Sequence, residues 1–292
     1  MVIVFGLATA ILYGSADFLG GTASRRSRAL SVAALSVPVG AVVLLAAALL
    51  SGTWAPAAGL GWAIAAGAVG AAGLIVFYAG LAAGPMSVVA PVSALVSTVL
   101  PVSVAVALGE NLGSLVFAGA ALCLIATVLI SLDHGPPARP SAAATGPAFL
   151  RDRPALRGFT YGAAAGTMFG IFFVFLRNAG TSGAFWPAAT SRLANTAVVL
   201  AIALLVGARP VGRAAGARVL AAAAGSGVLD ASANLCYILA TRAGLFGIAA
   251  VLTSLYPGIT VLLARVVLGE RMQAVQRIGL VLAGAGIVLV TL

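Results

Sequence analysis

The chain has 292 residues, of which 62% are hydrophobic and only 8% charged, with a formal net charge of +10. Soluble domains run nearer roughly 45–50% apolar and 25% charged. Too little polar surface exists here to coat a globule of this size, so lipid is the solvent for most of the chain. That excludes a soluble enzyme, a secreted disulfide scaffold and a disordered regulator.

All 16 basic residues are arginines, spread between apolar runs, so a nucleic-acid partner is rejected. Cys123 and Cys236 lie inside apolar runs without metal-site spacing and read as small buried hydrophobes. No Walker loop, HExxH, Gly-x-Ser-x-Gly or Cys/His cluster occurs, which leaves no basis for a cofactor, a metal centre or nucleophilic catalysis.

The first run, residues 2–22, lacks a basic leader and reads as a retained membrane helix. Further runs follow at 30–51, 59–83, 86–108 and 112–132. Residues 133–156 form a polar linker rich in Pro and Arg, which holds the single histidine. Five more runs cover 157–177, 184–207, 217–241, 245–268 and 273–292. A helix crosses the hydrocarbon in roughly 20 mostly apolar residues. The absence of period-2 alternation excludes a barrel. The expectation is an all-α integral membrane protein of ten transmembrane helices, multi-pass in the cell (inner) membrane.

The two halves repeat. At an offset of 160, Gly84, Leu95, Gly109, Glu110, Gly119 and Leu122 fall on Gly244, Leu255, Gly269, Glu270, Gly279 and Leu282. At an offset of 156, Phe5-Gly6 and Tyr13-Gly14 fall on Tyr161-Gly162 and Phe169-Gly170. Five helices per half is an odd number, so the halves enter the membrane with opposite orientation. Such inverted repeats, here 1–132 and 157–292, are the build of secondary transporters, with the site at the repeat interface.

These features resemble the EamA-type transporters of the drug/metabolite transporter superfamily. They include Tyr13-Gly14 and Phe169-Gly170, Ser254-Leu255-Tyr256-Pro257, the two Leu-Gly-Glu turns and the Gly-rich last helix of each half. Two features depart from the pattern. Ser97 stands where the second half has Pro257, with prolines displaced to Pro91 and Pro101, and an Arg early in the second helix of a half occurs only as Arg192. The resemblance implies ten helices around a central cavity, proton-driven export of small metabolites, and both termini inside. Charge disagrees on the termini. Thirteen of the sixteen arginines lie in or beside the connections after helices one, five, seven and nine, and the positive-inside rule then puts both termini outside.

An ionisable group inside a membrane helix is costly and marks a functional candidate. Asp17 shares one face with Thr9 and Tyr13; the competing reading pairs it with Arg25 or Arg26 at the interface. Asp230, Asn234, Tyr237 and Thr241 make a second stripe, against Gly70, Leu74, Phe77 and Leu81 in the first half. A stripe in one half only favours a substrate or proton site over architecture. Arg192 suits an anionic group on the cargo, or a permanent salt bridge to Asp17 or Asp230. Two carboxylates against one arginine leave one acid over.

Tyr13, Tyr256 and Phe169 supply apolar or cation–π walls. Pro91, Pro101 and Pro257 break helical hydrogen bonds and suit gating, or are passive kinks repaired by Ser93 or Thr253. Glu110 and Glu270 read as complements to the N-terminal dipoles of the helices they precede. Arg177 and Arg242 read as interfacial snorkels, and Gly162, Gly166 and Gly170 as a close-packing zipper.

The function expected is a proton-coupled exporter of amino acids, related metabolites or drugs, not an enzyme, with protons, cargo and the bilayer as partners; a homodimer stays open. Three alternatives stand beside it: an uncoupled facilitator, a membrane-embedded enzyme acting on a lipid phosphate, and a non-transporting partner subunit.

Overall fold

The computed structural model describes residues 1–24, 26–53, 57–83, 86–110, 113–131, 153–209, 211–212, 215–268 and 273–291. The described residues fold into eleven α-helices and no strand. The first half gives α1 (Val2–Ser24), α2 (Ala29–Leu50), α3 (Ala57–Ala83), α4 (Met86–Ala107) and α5 (Ser114–Ser131). The second gives α6 (Arg153–Ala179), α7 (Phe185–Leu205), α8 (Ala217–Ala243), α9 (Phe246–Thr253), α10 (Tyr256–Leu268) and α11 (Ala274–Thr291). A 3-10 turn, Gly180–Ser182, follows α6. Among the described residues, seven segments are long and apolar enough to cross a membrane, one of them spanning α9 and α10 together. Shorter apolar stretches lie in α4, α5 and α11.

Nine of the ten expected helices form as single elements. The ninth does not. The run 245–268 breaks at Ser254-Leu255 into α9 and α10. The cause is local. Pro257 has no N–H, so the Thr253 carbonyl four residues back loses its helical donor. The chain restarts as a new helix at Tyr256, with Pro257 in its first turn, where a missing donor costs nothing. α4 behaves differently. It runs unbroken through both Pro91 and Pro101.

The closest packing joins α1 to α8, α3 to α6, α5 to α11 and α4 to α6. Small residues make this possible. The zipper on α6 lies against α4: a Cβ on Gly162 would meet the Val89 carbonyl at 2.8 Å, and one on Gly166 the Ser93 carbonyl at 2.5 Å. α8 approaches α2 as closely, since a Cβ on Gly227 would collide with the Ser36 carbonyl. Without a hydrophobic drive between helices in lipid, such close approach is what gives dispersion contact its strength.

Candidate functional site

The polar residues of the helices gather in three places. The first is an ion pair between α7 and α8. Arg192 Nη2 pairs with Asp230 Oδ2, and the two side chains are 8% and 33% exposed. The arginine is therefore the buried partner, and the carboxylate keeps an open face. Behind the pair stands Gly40 of α2, where a Cβ would lie 3.3 Å from Arg192 Nε. Arg192 Nε and Asn195 Oδ1, one turn on, are buried without a partner.

The second is a hub on Tyr13. Its hydroxyl donates to Asn234 Oδ1 at 2.7 Å. The Asn234 amide in turn donates to the Asp230 carbonyl at 2.9 Å. The Tyr13 ring lies edge-on to Phe173 at 6.1 Å and to Tyr256 at 6.2 Å. The Tyr237 ring packs tilted against Phe173, centroids 4.7 Å apart, and its hydroxyl donates to the Phe173 carbonyl at 3.4 Å. These rings bring α1, α6, α8 and α10 together. Asp17 stands one turn beyond Tyr13 and is exposed. It makes no ion pair with Arg26 or with any other described residue; Arg25 lies outside the described residues.

The third is a cavity of about 10 Å³ at the α9–α10 break, room for about one water molecule. Its polar lining comes from Ser97 and Thr98 of α4, Thr253 of α9 and Ser254 in the break; Phe173, Tyr237 and Tyr256 give aromatic walls. Pro101 also lines it. Around this point the two halves of the sequence close upon each other, and the space left is far smaller than a metabolite.

Several expectations need revision. Phe169 is not in the Tyr13 cluster; it packs on Phe77 at 6.2 Å and fills the gap beside Gly73. Thr253 does not repair a kink, because its hydroxyl has no partner. Arg177 and Arg242 are held and do not snorkel freely. The Arg177 guanidinium sits 5.1 Å over the Phe246 ring, and Arg242 Nη1 donates to the Gly180 carbonyl at 2.6 Å. Of the two readings the sequence leaves open for Arg192, the ion pair to Asp230 is the one this structure contains.

Glu110 does not serve the helix it precedes. Its carboxylate accepts the Phe246 N–H at Oε1 and the Gly247 N–H at Oε2, both at 2.9 Å, and so caps α9. Glu270 lies outside the described residues. Ser97, Thr98 and Phe173 had no place among the expected site residues. Sequence carries a signal for Ser97, since it stands four residues before a proline.

A solved structure described as "Crystal structure of protein" superimposes with a TM-score of 0.77 at 22% identity, covering 99% of this chain and 95% of that one. At that identity the likeness is one of fold. No curated protein matches the chain. Residues 156–292 match the model of the EamA-like transporter family. The match covers rather less than half of the chain, whose second half is thus similar to the EamA-like transporter family, and the apolar helices make the chain a multi-pass membrane protein.

Proposed function

We propose that the protein is a secondary-active exporter of small metabolites or drugs in the cell (inner) membrane, exchanging protons for cargo at Asp17 and Asp230. The carrying observation is charge balance. Asp230 has Arg192 as its counter-ion, while Asp17 has no cation among the described residues. A carboxylate on a membrane helix with no cation beside it among the described residues suits a proton or a positively charged cargo group. Asn234, Tyr237 and Tyr13 would orient the cargo, and Tyr256 would wall it. Pro91, Pro101 and Pro257 lie on the helices whose movement would gate the path.

Alternating access would come from two inverted repeats, 1–132 and 157–292, rocking about this centre. The packing supports that division. Exchanging the halves turns the α1–α8 contact into α6–α3, both among the closest, and leaves α5–α11 as its own partner.

The test is metabolite profiling of medium and cytoplasm in cells overexpressing the wild type, Asp17→Asn or Asp230→Asn at matched membrane levels. One compound class should leave the cell with the wild type, and Asp17→Asn should lose the dependence on the proton gradient. Wild-type export indifferent to collapse of that gradient would make the protein a facilitator. Unchanged profiles in every strain would sink the transport reading.

A further inference from the structure

We infer that the cavity at the α9–α10 break is a binding site for a dehydrated monovalent cation of about the size of Na⁺. The argument starts from Thr253. Thr9, Thr98, Thr127, Thr196 and Thr260 all return their hydroxyls to the carbonyl one turn back. Thr253 does not. It is only 2% exposed, lines the cavity, and its Oγ1 has no hydrogen-bond partner. Burying a hydroxyl unpaired is costly, so an unpaired oxygen at a cavity wall points to something that fills the cavity.

The rest of the lining says what kind of ligand fits. Ser97 and Thr98 both spend their hydroxyl protons on the Ala94 carbonyl, and Ser254 spends its own on the Val251 carbonyl. What those three oxygens have left is lone pairs. The prolines add to this. Pro101 cannot donate to the Ser97 carbonyl, and Pro257 cannot donate to the Thr253 carbonyl. Both carbonyls therefore belong to cavity-lining residues and lack their helical donors. The C-terminal end of α9, where the helix dipole is negative, adjoins the same cavity.

The set is rich in acceptors, made of neutral oxygens, and about one small sphere in size. Hard cations take oxygen ligands, and divalent ones draw on carboxylates. No carboxylate lines this cavity, so the fit is to a single positive charge. In transporters with broken helices, unwound carbonyls and half-helix C-termini coordinate cations of this kind. The site draws on α4 from the first half and on α6, α8, α9 and α10 from the second, so occupancy would tie the halves together. None of this depends on what the protein carries.

The experiment is a thermal melt of the purified full chain in detergent, titrated with NaCl, KCl or choline chloride at constant ionic strength. The wild type should show a saturable rise in Tm with Na⁺ and none with choline. Thr253→Val, which keeps the shape and removes the oxygen, should raise the midpoint concentration about tenfold or more, and Thr253→Ser should restore it. Ser97→Ala should weaken the response in the same direction, and reports independently if Thr253→Val fails to fold. A wild-type Tm that responds alike to Na⁺ and choline would show a cavity holding only water and overturn the proposal. A Thr253→Val midpoint equal to wild type would overturn it as well.

Discussion

Glu110 accepts the Phe246 N–H at 2.9 Å across 136 residues of sequence. The second carboxylate oxygen takes the next amide, Gly247, at the same distance. One side chain thus satisfies two of the four unpaired donors at the start of α9. Its charge also meets the positive end of the helix dipole. Gly109, at φ +86°, ends α4 and turns the chain so that Glu110 can reach α9. The bond ties a turn of the first half to a helix of the second.

Removing that cap should therefore cost stability without touching the polar centre. Glu110→Ala should lose about 1–2 kcal/mol, the range for a lost N-cap with charge assistance. Glu110→Gln keeps one acceptor and should fall between. Thermal melts in detergent measure both, and an Ala variant as stable as the wild type would show the contact to be incidental.

The ion pair makes an asymmetric prediction. Arg192 is the buried member and Asp230 the partly exposed one. Asp230→Asn leaves a buried guanidinium uncompensated and should cost about 3 kcal/mol or more. Arg192→Met leaves a carboxylate that still has an open face, and should cost less. The double variant should recover part of the loss, since both charges are then gone. A double-mutant cycle in melting experiments gives the coupling. Additive losses would mean that the two side chains do not act as a pair.

The apolar runs located the helices within a few residues, because hydropathy acts over whole segments. The break at Ser254-Leu255 fell inside one uniformly apolar run, where hydropathy is blind. Only the backbone chemistry of Pro257 marks it. Counting charges found that two acids share one arginine, but counting does not say which acid. The choice rests on the packing of α2 against α8 and α7, where Gly40 and Gly227 let α2 approach α8 and Gly40 leaves room for the Arg192 side chain. Glu110 was misread for a related reason. Order along the chain points to the helix that follows, whereas the carboxylate accepts the first amides of α9 in the other half.

The glycines divide into those that must be small and those that need not be. Gly166 faces the Ser93 carbonyl, and an added Cβ would sit 2.5 Å from it. Gly166→Ala should push α6 off α4 and cost about 1–3 kcal/mol through overpacking. Gly61, inside α3, has nothing within 4 Å of its added Cβ. Gly61→Ala should stabilise by about 0.5–1 kcal/mol, because alanine loses less backbone entropy on entering a helix. Melting temperatures moving in opposite directions would confirm the packing; a fall in both would point to a role for Gly61 that its open surroundings do not suggest.

Tyr13 offers a finer probe, since its ring and its hydroxyl do separate things. The ring meets Phe173 and Tyr256, and the hydroxyl holds Asn234 at 2.7 Å. Tyr13→Phe keeps the ring contacts and leaves Asn234 Oδ1 without its donor. The expected cost is about 1–2 kcal/mol, the penalty for one orphaned polar atom in a part-buried setting. Tyr13→Phe combined with Asn234→Leu removes both ends of the bond. That pair should lose less than the sum of the two single changes. If the losses simply add, the hydroxyl and the amide are not coupled, and the link from α1 through Asn234 to the Asp230 backbone carries no energy.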